Sequence, residues 1–420
     1  MIFSRLSLTI AIFLTSVVFA QEPDANWTQW RGNLRDSQVS GSWPAALDES
    51  KLKQIWRKEM GPSYSGPIVL GDQVFVTETR NKQDEVVFGL NVETGEENWN
   101  LQWPGSMRVP MFAAKNGSWI RSTPATDGER LYVAGILGRF VCIDVAKGTE
   151  VWAVDFSKQY GVKHEDFGQV CSPLIIDSDE KSDPFVYIQC SAGFIKFNRL
   201  TGEEIWRTLY DGGSMMSRGA FSSPYVATVA GKKQILVQTR THLNGVDLES
   251  GKTLWQQPVP NFRGMNILTP TVYGDTVFTS SYNHQSFGFE VAKSDAGFVV
   301  NEKWTAASKA YMSSPVVIGD NAYLHLQNKR VASINLKSGE TNWVSKQRFG
   351  SYWSMVANGD KILALDSKGK LILIHANPEK FDIVGEAKLQ TNDSWAHLAV
   401  VGDRIFVRGI DSMAVYQWQN

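Results

Sequence analysis

Cysteine is scarce in this chain, which has three in 420 residues. Three cysteines cannot supply a disulfide framework, so the stability of the fold must come from a buried core. The three cysteines and six scattered histidines also lack metal-ligand spacing, and the sequence predicts no metal site. Beyond the N-terminal region no apolar run is long enough to span a bilayer, which predicts no membrane insertion.

An excess of charge of one sign is also absent. Lysine and arginine total 42, and aspartate and glutamate total 43. A chain that binds nucleic acid or an anionic membrane over a broad surface usually has a clear basic excess. The balance therefore predicts that nucleic acid is not a partner, and we expect a monomer.

The N-terminal 20 residues have the pattern of a secretory signal peptide. Arg5 precedes an apolar run over 8–19, and small residues favour cleavage between Ala20 and Gln21. The run is short for a membrane helix. Gln21 stands where a lipoprotein would have cysteine, which disfavours a lipid anchor. We expect a periplasmic or secreted protein that is soluble after cleavage.

Two of the cysteines lie on a predicted hairpin formed by "QVCSPLII" and "PFVYIQCS". Pairing Ile176 with Phe185 places Cys171 directly opposite Cys190. A disulfide and two buried free thiols both fit this register. Cys142 is predicted to be a small core residue.

A motif of Asn or Asp, three residues, Gly, three residues and Trp occurs five times. The copies end at Trp99, Trp152, Trp206, Trp255 and Trp343. A second phrase, usually Ser/Thr-Pro with two apolar runs around Gly-Asp, precedes each and gives eight units in all, for example "SSPVVIGDNAYL". Repetition at this period indicates a ring or array of small sheets.

Each unit is predicted to form four short strands. Proline begins the first strand, where a missing N–H does little harm, and Gly-Asp makes the turn to the second. The Asn or Asp side chain caps a later turn, and its glycine takes a positive φ. The indole then fills the space between adjacent sheets and removes about 150–250 Å² from water. The predicted docking residues are Trp56, Trp99, Trp152, Trp206, Trp255, Trp304 and Trp343.

The two ends of the chain are predicted to complete one unit. "QIWRKEM" around Trp56 is a fourth strand without its first three, and residues 394–418 supply three strands without a fourth. Joining them closes the ring and removes free sheet edges. The predicted fold is all-β: an eight-bladed β-propeller of four-stranded antiparallel blades over 51–420, after an N-terminal segment over 21–50.

These repeats resemble the pyrroloquinoline-quinone-type (PQQ-like) propeller family, within the broader WD40/YVTN-like repeat class. "WTQWRG", from Trp27 to Gly32, is similar to the start of many exported bacterial members. Blade five departs from the motif at Glu290, and blade seven lacks the tryptophan. Some relatives that this resemblance implies are quinone- and calcium-dependent alcohol or sugar dehydrogenases, whereas others are non-catalytic, including a lipoprotein that assists outer-membrane protein assembly.

Two other motifs are weak. "GVDLESGKT" resembles a phosphate-binding loop, but its first glycine is one residue too distant and a strand follows it. "DSDEKSD", over 177–183, lacks the glycine and glutamate of a calcium loop and is predicted to be a solvated hairpin tip.

Loops that enter the first strand of each blade are the predicted binding face, because the channel opens there. They contain Tyr64, Phe221 and Tyr311, and the carboxylates Glu165, Asp211 and Asp393. Arginine and aromatic residues are typical of recognition surfaces, although most of these side chains are also suited to packing between loops. The ligand-binding candidates are Arg108, Arg121, Asp166, Arg218, Arg263, Arg348, Trp353 and Trp395.

Two function classes follow. The dehydrogenase class needs a calcium set, a carboxylate base and, in the relatives, adjacent cysteines; the sequence has no adjacent cysteines and no evident calcium and base pattern. Our main prediction is therefore an exported, non-catalytic binding scaffold without a cofactor, whose ligand is a protein, peptide, glycan or small molecule. The alternative is a dehydrogenase with pyrroloquinoline quinone and calcium.

Overall fold

A computed structural model describes residues 25–177, 183–214, 217–391 and 393–419. The predicted signal peptide and its cleavage site lie outside these residues, as does most of the "DSDEKSD" tip. In the described chain no helix is long and apolar enough to cross a membrane. The helices are short: 3-10 turns at Glu49–Lys51 and Met111–Asn116, and an α-helix at Phe156–Tyr160.

Eight antiparallel sheets follow one another along the chain, which confirms the predicted eight-bladed propeller. First strands of neighbouring blades contact one another and therefore surround the central channel. The strands of blades one to four are β2 (Ile68–Leu70), β3 (Gln73–Arg80), β4 (Asp84–Asn91), β5 (Glu97–Pro104); β6 (Ala125–Thr126), β7 (Arg130–Ala134), β8 (Arg139–Asp144), β9 (Glu150–Asp155); β10 (Phe185–Cys190), β11 (Gly193–Asn198), β12 (Glu204–Thr208); and β13 (Tyr225–Val229), β14 (Lys232–Gln238), β15 (His242–Val246), β16 (Thr253–Pro258).

Blades five to seven each have four strands, and blade eight has three plus β1 (Leu52–Glu59) from the N-terminal side. Their strands are β17 (Thr271–Tyr273), β18 (Thr276–Ser280), β19 (Ser286–Ser294), β20 (Gly297–Ala306); β21 (Val316–Ile318), β22 (Asn321–His325), β23 (Val331–Asn335), β24 (Thr341–Val344); β25 (Trp353–Asn358), β26 (Lys361–Asp366), β27 (Lys370–His375), β28 (Asp382–Lys388); and β29 (Ala399–Val401), β30 (Arg404–Arg408), β31 (Ser412–Trp418).

Ring closure is formed by β1 and β31. They pair antiparallel, with Leu52 opposite Trp418 and Glu59 opposite Ser412. This pairing confirms that the two ends of the chain complete one blade. Blade three differs from the prediction, because its first strand is reduced in the described chain to a single bridge between Leu174 and Tyr187.

The Gly and Trp of the repeat meet across blade boundaries. Trp56 packs on Gly95 in the following blade, where an added Cβ would lie 2.7 Å from the indole. Gly95 also has a φ of +72°, so both the close approach and the turn require glycine. The Trp56 indole N–H donates to Val92 O at 2.9 Å, which sets how far the indole extends into the following blade. Three docking indoles repeat both contacts: Trp99 on Gly148, Trp152 on Gly202 and Trp304 on Gly339.

The contacts of the other docking tryptophans depend on the blade that each one meets. Trp206 packs on Gly251, but its indole nitrogen has no hydrogen-bond partner. Trp255 meets blade five, whose turn glycine, Gly297, does not pack on the indole, and donates instead to Gln234 Oε1 of its own blade at 2.7 Å. Trp343 meets blade seven and donates to Asn377 O at 2.9 Å.

All three cysteines are free and buried. The bridge between Leu174 and Tyr187 has the predicted register, in which Cys171 would lie opposite Cys190. Cys171 Sγ instead lies 3.0 Å from Ser222 O and 3.1 Å from Ala220 O in the next blade. The free-thiol alternative is therefore the one that the structure contains.

Candidate functional site: an aromatic cup in a plugged channel

The segment over residues 25–39, here called the plug segment, lies inside the propeller channel. Trp27 forms an antiparallel bridge with Val69 of blade one. Farther along, Val39 N donates to Ala357 O of blade seven at 2.9 Å, and Thr28 O accepts from Thr126 N of blade two at 2.8 Å. A short segment can reach first strands around the ring only by crossing the channel.

Two buried arginines hold the plug segment in place. Arg35 is 1% exposed and donates to Pro224 O at 2.9 Å and to the carbonyl of Pro173. Arg31 is 2% exposed and donates to Pro315 O. First strands have a free edge toward the channel, and the carbonyls there need donors. Burial lowers the pKa of Arg35 to about 9, so its guanidinium remains charged at neutral pH.

The Ser/Thr-Pro phrase has a second structural role that its proline does not explain. The hydroxyl residue before proline accepts a hydrogen bond from a backbone N–H of the preceding blade, forming a belt around much of the channel. Sequence reasoning missed this belt, although its signal, a hydroxyl residue at the same position of successive repeats, was present. The contacts are Gly66 N to Thr123 Oγ1 at 2.9 Å, Thr123 N to Ser172 Oγ at 3.0 Å, Ser172 N to Ser223 Oγ at 3.0 Å and Thr269 N to Ser314 Oγ at 3.2 Å.

Between the plug segment and the channel-face loops lies a cavity of about 550 Å³, here called the cup. Trp30 of the plug segment and His397 form part of its lining, and Trp30 places the segment at its base. The His397 ring lies 6.0 Å from Trp27 and 6.2 Å from Trp30. Burial lowers the pKa of His397 to about 3, so the imidazole is neutral under ordinary conditions.

Aromatic side chains from many blades form the wall of the cup. Pairs of these rings are in contact: the Trp395 centroid lies 5.9 Å from both Tyr64 and Tyr352, and Tyr282 lies 4.9 Å from Tyr311. Ring-to-ring packing of this kind makes a stiff, largely apolar wall. Phe221 also lines the cup.

Positive charge is the other property of the cup. Its lining includes the guanidinium groups of Arg121, Arg240 and Arg263, and none of its described lining residues carries a carboxylate. Arg240 bonds to loop carbonyls, with Gly264 O at 2.8 Å and Arg263 O at 3.1 Å. Arg121 donates to Gly117 O at 2.8 Å, but its buried Nε has no partner. Burial lowers the pKa of Arg121.

The predicted carboxylates lie outside the cup lining. Glu165 is 5% exposed, and burial raises the pKa of its carboxyl well above the usual range, an effect that Arg240 opposes. Asp166 forms an ion pair with Arg218 at 3.7 Å. Asp211 and Asp393 are exposed. In the described part of the chain no three metal-ligating side chains cluster.

The structure separates the eight ligand-binding candidates. Arg121, Arg263 and Trp395 line the cup. Asp166 and Arg218 pair with each other away from it. The other three candidates lie outside the cup lining: Arg108, Arg348 and Trp353.

Trp353 requires a correction. It is the first residue of β25, is 1% exposed and stacks on His325 at 5.6 Å. Successive side chains of a strand point to opposite sides, so Trp353 enters the core while Tyr352 reaches the cup. Arg108 and Arg348 are exposed on the loops.

Sequence reasoning missed several lining residues, including Arg240 and Tyr282. Both lie in turns between the second and third strands of a blade, which an up-and-down meander brings to the same end as the entry loops. That geometry was a usable signal. Trp30 gave no such signal, because the position of the plug segment does not follow from the repeat.

The chain is similar in sequence to known proteins. A family profile described as "Outer membrane protein assembly factor BamB" matches residues 44–115 and 106–345. Relatives of that name include the protein of Moranella endobia, 24% identical over 78% of this chain and 81% of the relative, and that of Shewanella oneidensis, 20% identical over 75% of each.

Solved structures show the same fold at low identity. The BamB crystal structure from Moraxella catarrhalis has a TM-score of 0.61 at 15% identity and covers 88% of this chain and 98% of that one. A quinohemoprotein alcohol dehydrogenase from Pseudomonas putida has a TM-score of 0.52 at 11% identity, covering 94% and 80%. Because the family profile spans most of the propeller, the chain belongs to the PQQ-like family described as outer membrane protein assembly factor BamB.

Proposed function

We propose that this protein is an exported, non-catalytic scaffold that binds a partner protein of outer-membrane protein assembly through its channel face. The carrying observation is the chemistry of that face: aromatic rings and guanidinium groups with no carboxylate among the described residues of the cup lining. Arginine with aromatic anchors is typical of protein-binding hot spots. Family membership supports the class of partner.

Loops at the channel face offer apolar contacts to a partner. Phe262 is 40% exposed, Tyr210 is 49% exposed and Met111 is 91% exposed, all on loops at the channel face. Large exposed apolar side chains that surround a concave site are typical of interaction surfaces.

Site-directed photo-crosslinking tests this proposal. With benzoylphenylalanine at Phe262, we expect a discrete protein adduct in cells of the native host. The matched control is Val344, which is 42% exposed but lies on the outer strand β24 of blade six. The two positions have similar exposure, so exposure alone cannot explain an adduct that forms at Phe262 and not at Val344, which is the result we expect.

A loss-of-function arm completes the test. The double variant Phe262→Asp, Arg263→Glu should reduce capture of that partner at least tenfold while the melting temperature stays unchanged, because both side chains are exposed. Adducts that form equally at Val344, or a partner unrelated to the outer membrane, would contradict the proposal.

Pyrroloquinoline quinone with calcium does not fit the cup. Calcium takes six to eight oxygen ligands, mostly carboxylates and carbonyls, and alcohol oxidation needs a base near the substrate hydroxyl. The described lining has three arginines and no carboxylate, and Glu165 is buried outside it. Placing calcium beside the guanidinium groups of Arg121 and Arg263 would be electrostatically unfavourable.

We therefore expect no turnover after reconstitution with the quinone and calcium. The measurement is dye reduction dependent on a simple alcohol or aldose, with an authentic quinoprotein dehydrogenase as the positive control. Quinone binding without turnover agrees with the scaffold function. Saturable turnover would establish the dehydrogenase class instead, and Asp166→Asn and Asp393→Asn would then locate the base.

A further inference from the structure

We propose that the channel-face loops of blades five to seven form a docking surface for an acidic segment of the partner protein. These loops, here called the basic arc, cover residues 259–270, 281–285, 307–315, 326–330, 345–352 and 367–369. This docking surface rests on the proposed function and adds to it the chemistry of the segment that the partner places against the channel face.

The basic arc carries exposed charge of one sign. Its six loops lie within the described stretch 217–391 and contain no aspartate or glutamate. Six of its basic side chains are exposed, and Arg330 is partly buried. The chain as a whole has a formal net charge of -1, so this is a local concentration of positive charge. The basic residues are Arg263, Lys309, Lys329, Arg330, Lys346, Arg348 and Lys368.

Contacts between the loops make the basic arc one continuous surface. Asn283 N of blade five donates to Gln327 Oε1 of blade six at 3.3 Å. Within blade six, Gln327 N donates to Lys309 O at 2.8 Å, and Lys329 O accepts from Phe349 N of blade seven at 2.8 Å. Neighbouring blades therefore present their cations side by side along the channel mouth.

Exposed cations elsewhere on the same blades have acidic partners. Lys303 pairs with Glu290 at 2.9 Å, and Lys337 pairs with Asp320 at 2.5 Å. The loops of the basic arc hold no carboxylate that could do the same. Asp366, which immediately precedes the last of these loops, is buried and accepts backbone N–H groups instead. Clustered like charges repel one another, and carboxylates from a partner would relieve that repulsion.

An exposed aspartate lies on each side of the basic arc. Asp211 is in the entry loop of blade four, and Asp393 is in the entry loop of blade eight. A flat anionic membrane laid on the channel face would also meet these carboxylates, whereas a protein segment can cover the basic arc alone. Phe262 adds a ring that is 40% exposed, with the Arg263 guanidinium carbon 5.2 Å from its centroid. Arginine beside an aromatic ring is typical of protein contacts.

The two kinds of cation in the basic arc would bind carboxylates differently. The planar guanidinium groups of Arg263 and Arg348 can each hold a carboxylate by two hydrogen bonds, whereas the lysines act as point charges. Complementary charge speeds the encounter of two proteins and fixes their relative orientation. We therefore expect binding of acidic segments that weakens strongly with salt.

Fluorescence anisotropy on the purified full chain tests this docking surface, with a labelled peptide of five Asp-Glu repeats as the probe. A peptide of five Asn-Gln repeats has the same length without the charge and is the control. We expect the acidic peptide to bind at least tenfold more tightly. Its affinity should fall at least tenfold between about 50 and about 500 mM NaCl, because salt shortens the range of the attraction.

Charge reversal then assigns the binding to the basic arc. The double variant Lys329→Glu, Arg348→Glu should weaken the acidic peptide at least tenfold. The matched control is Lys53→Glu, Lys252→Glu, which changes the net charge equally on strand β1 and on the turn before β16. It should change the affinity less than twofold. All four side chains are exposed, so neither double variant should alter the melting temperature.

Equal binding of the two peptides, or equal loss in the two double variants, would overturn the docking surface. Vesicles containing phosphatidylglycerol that bind the parent more tightly than the acidic peptide does, and lose that binding in the Lys329→Glu, Arg348→Glu protein, would also overturn it in favour of a membrane.

Crosslinking from Phe262 separates this docking surface from the proposed function. We expect the adduct to decrease at least fivefold in the Lys329→Glu, Arg348→Glu background. An undiminished adduct would overturn the docking surface and leave the scaffold function standing. Absence of the adduct in the parent would contradict the scaffold function, while the peptide measurements would still decide whether the basic arc binds acidic segments.

Discussion

Replacement of Trp304 by alanine is expected to lower the free energy of unfolding by about 3–5 kcal/mol, the usual cost of deleting a large buried ring. Trp304 is 8% exposed and lies between Gly288 of its own blade and Gly339 of the next. Its indole N–H donates to Leu336 O at 3.0 Å. Neither glycine has a side chain that could fill the space. Equilibrium denaturation in guanidinium chloride measures the change.

Trp206→Ala is the matched comparison, because Trp206 has the same position in blade three. Trp206 is partly exposed and its indole nitrogen has no hydrogen-bond partner, so its loss should cost less than that of Trp304. A Trp304→Ala protein as stable as the parent, or less affected than Trp206→Ala, would show that interblade docking does not hold the ring together.

Substitution of Arg35 by methionine should have the second largest effect, a loss of about 2–4 kcal/mol. The guanidinium donates to Pro224 O and Gln29 Oε1 at 2.9 and 3.0 Å, and to Pro173 O. Each buried carbonyl left without a donor costs about 1–3 kcal/mol, and relief of the desolvated charge offsets part of the sum.

Limited proteolysis adds a local readout to this prediction. We expect cleavage within the plug segment to become faster in Arg35→Met while the blades stay resistant. Arg348→Met is the control, since this exposed side chain should alter stability by less than about 0.5 kcal/mol. Unchanged stability and unchanged cleavage in Arg35→Met would mean that Arg31 and Trp27 suffice to hold the segment.

The blades were predictable because their determinants are local in sequence. Asn335 Oδ1 accepts from Lys337 N at 2.9 Å and Ser338 N at 3.2 Å, and Gly339 has a φ of +76°. A turn, a glycine and a ring at fixed spacing therefore specify one blade and its contact with the next. Repetition of that pattern predicted the number of blades and the closure of the propeller by β1 and β31.

The plug segment and most of the cup were not predictable in this way. Arg35 bonds to Pro224, 189 residues away, and no periodic signal connects the two. Trp395 and Arg121 were predicted because they occur in entry loops. Trp353 was assigned wrongly to the cup, because a shift of one residue along the strand moves a side chain from the cup to the core. Local patterns specify the walls of a propeller, but the contents of its channel depend on contacts between distant parts of the chain.

The pairing of β1 with β31 has a consequence for the order of events during biosynthesis. Strand β1 leaves the ribosome more than 350 residues before its partner, because Leu52 pairs with Trp418. Until then its edge is open, and the blade-seven contact of the plug segment at Ala357 is missing as well. Such long loops must close before the contacts form, which slows folding and exposes edges to aggregation. The nascent chain therefore needs protection from aggregation until almost all of it has emerged. In a prematurely terminated chain that lacks β31, strand β1 would remain unpaired and prone to aggregation.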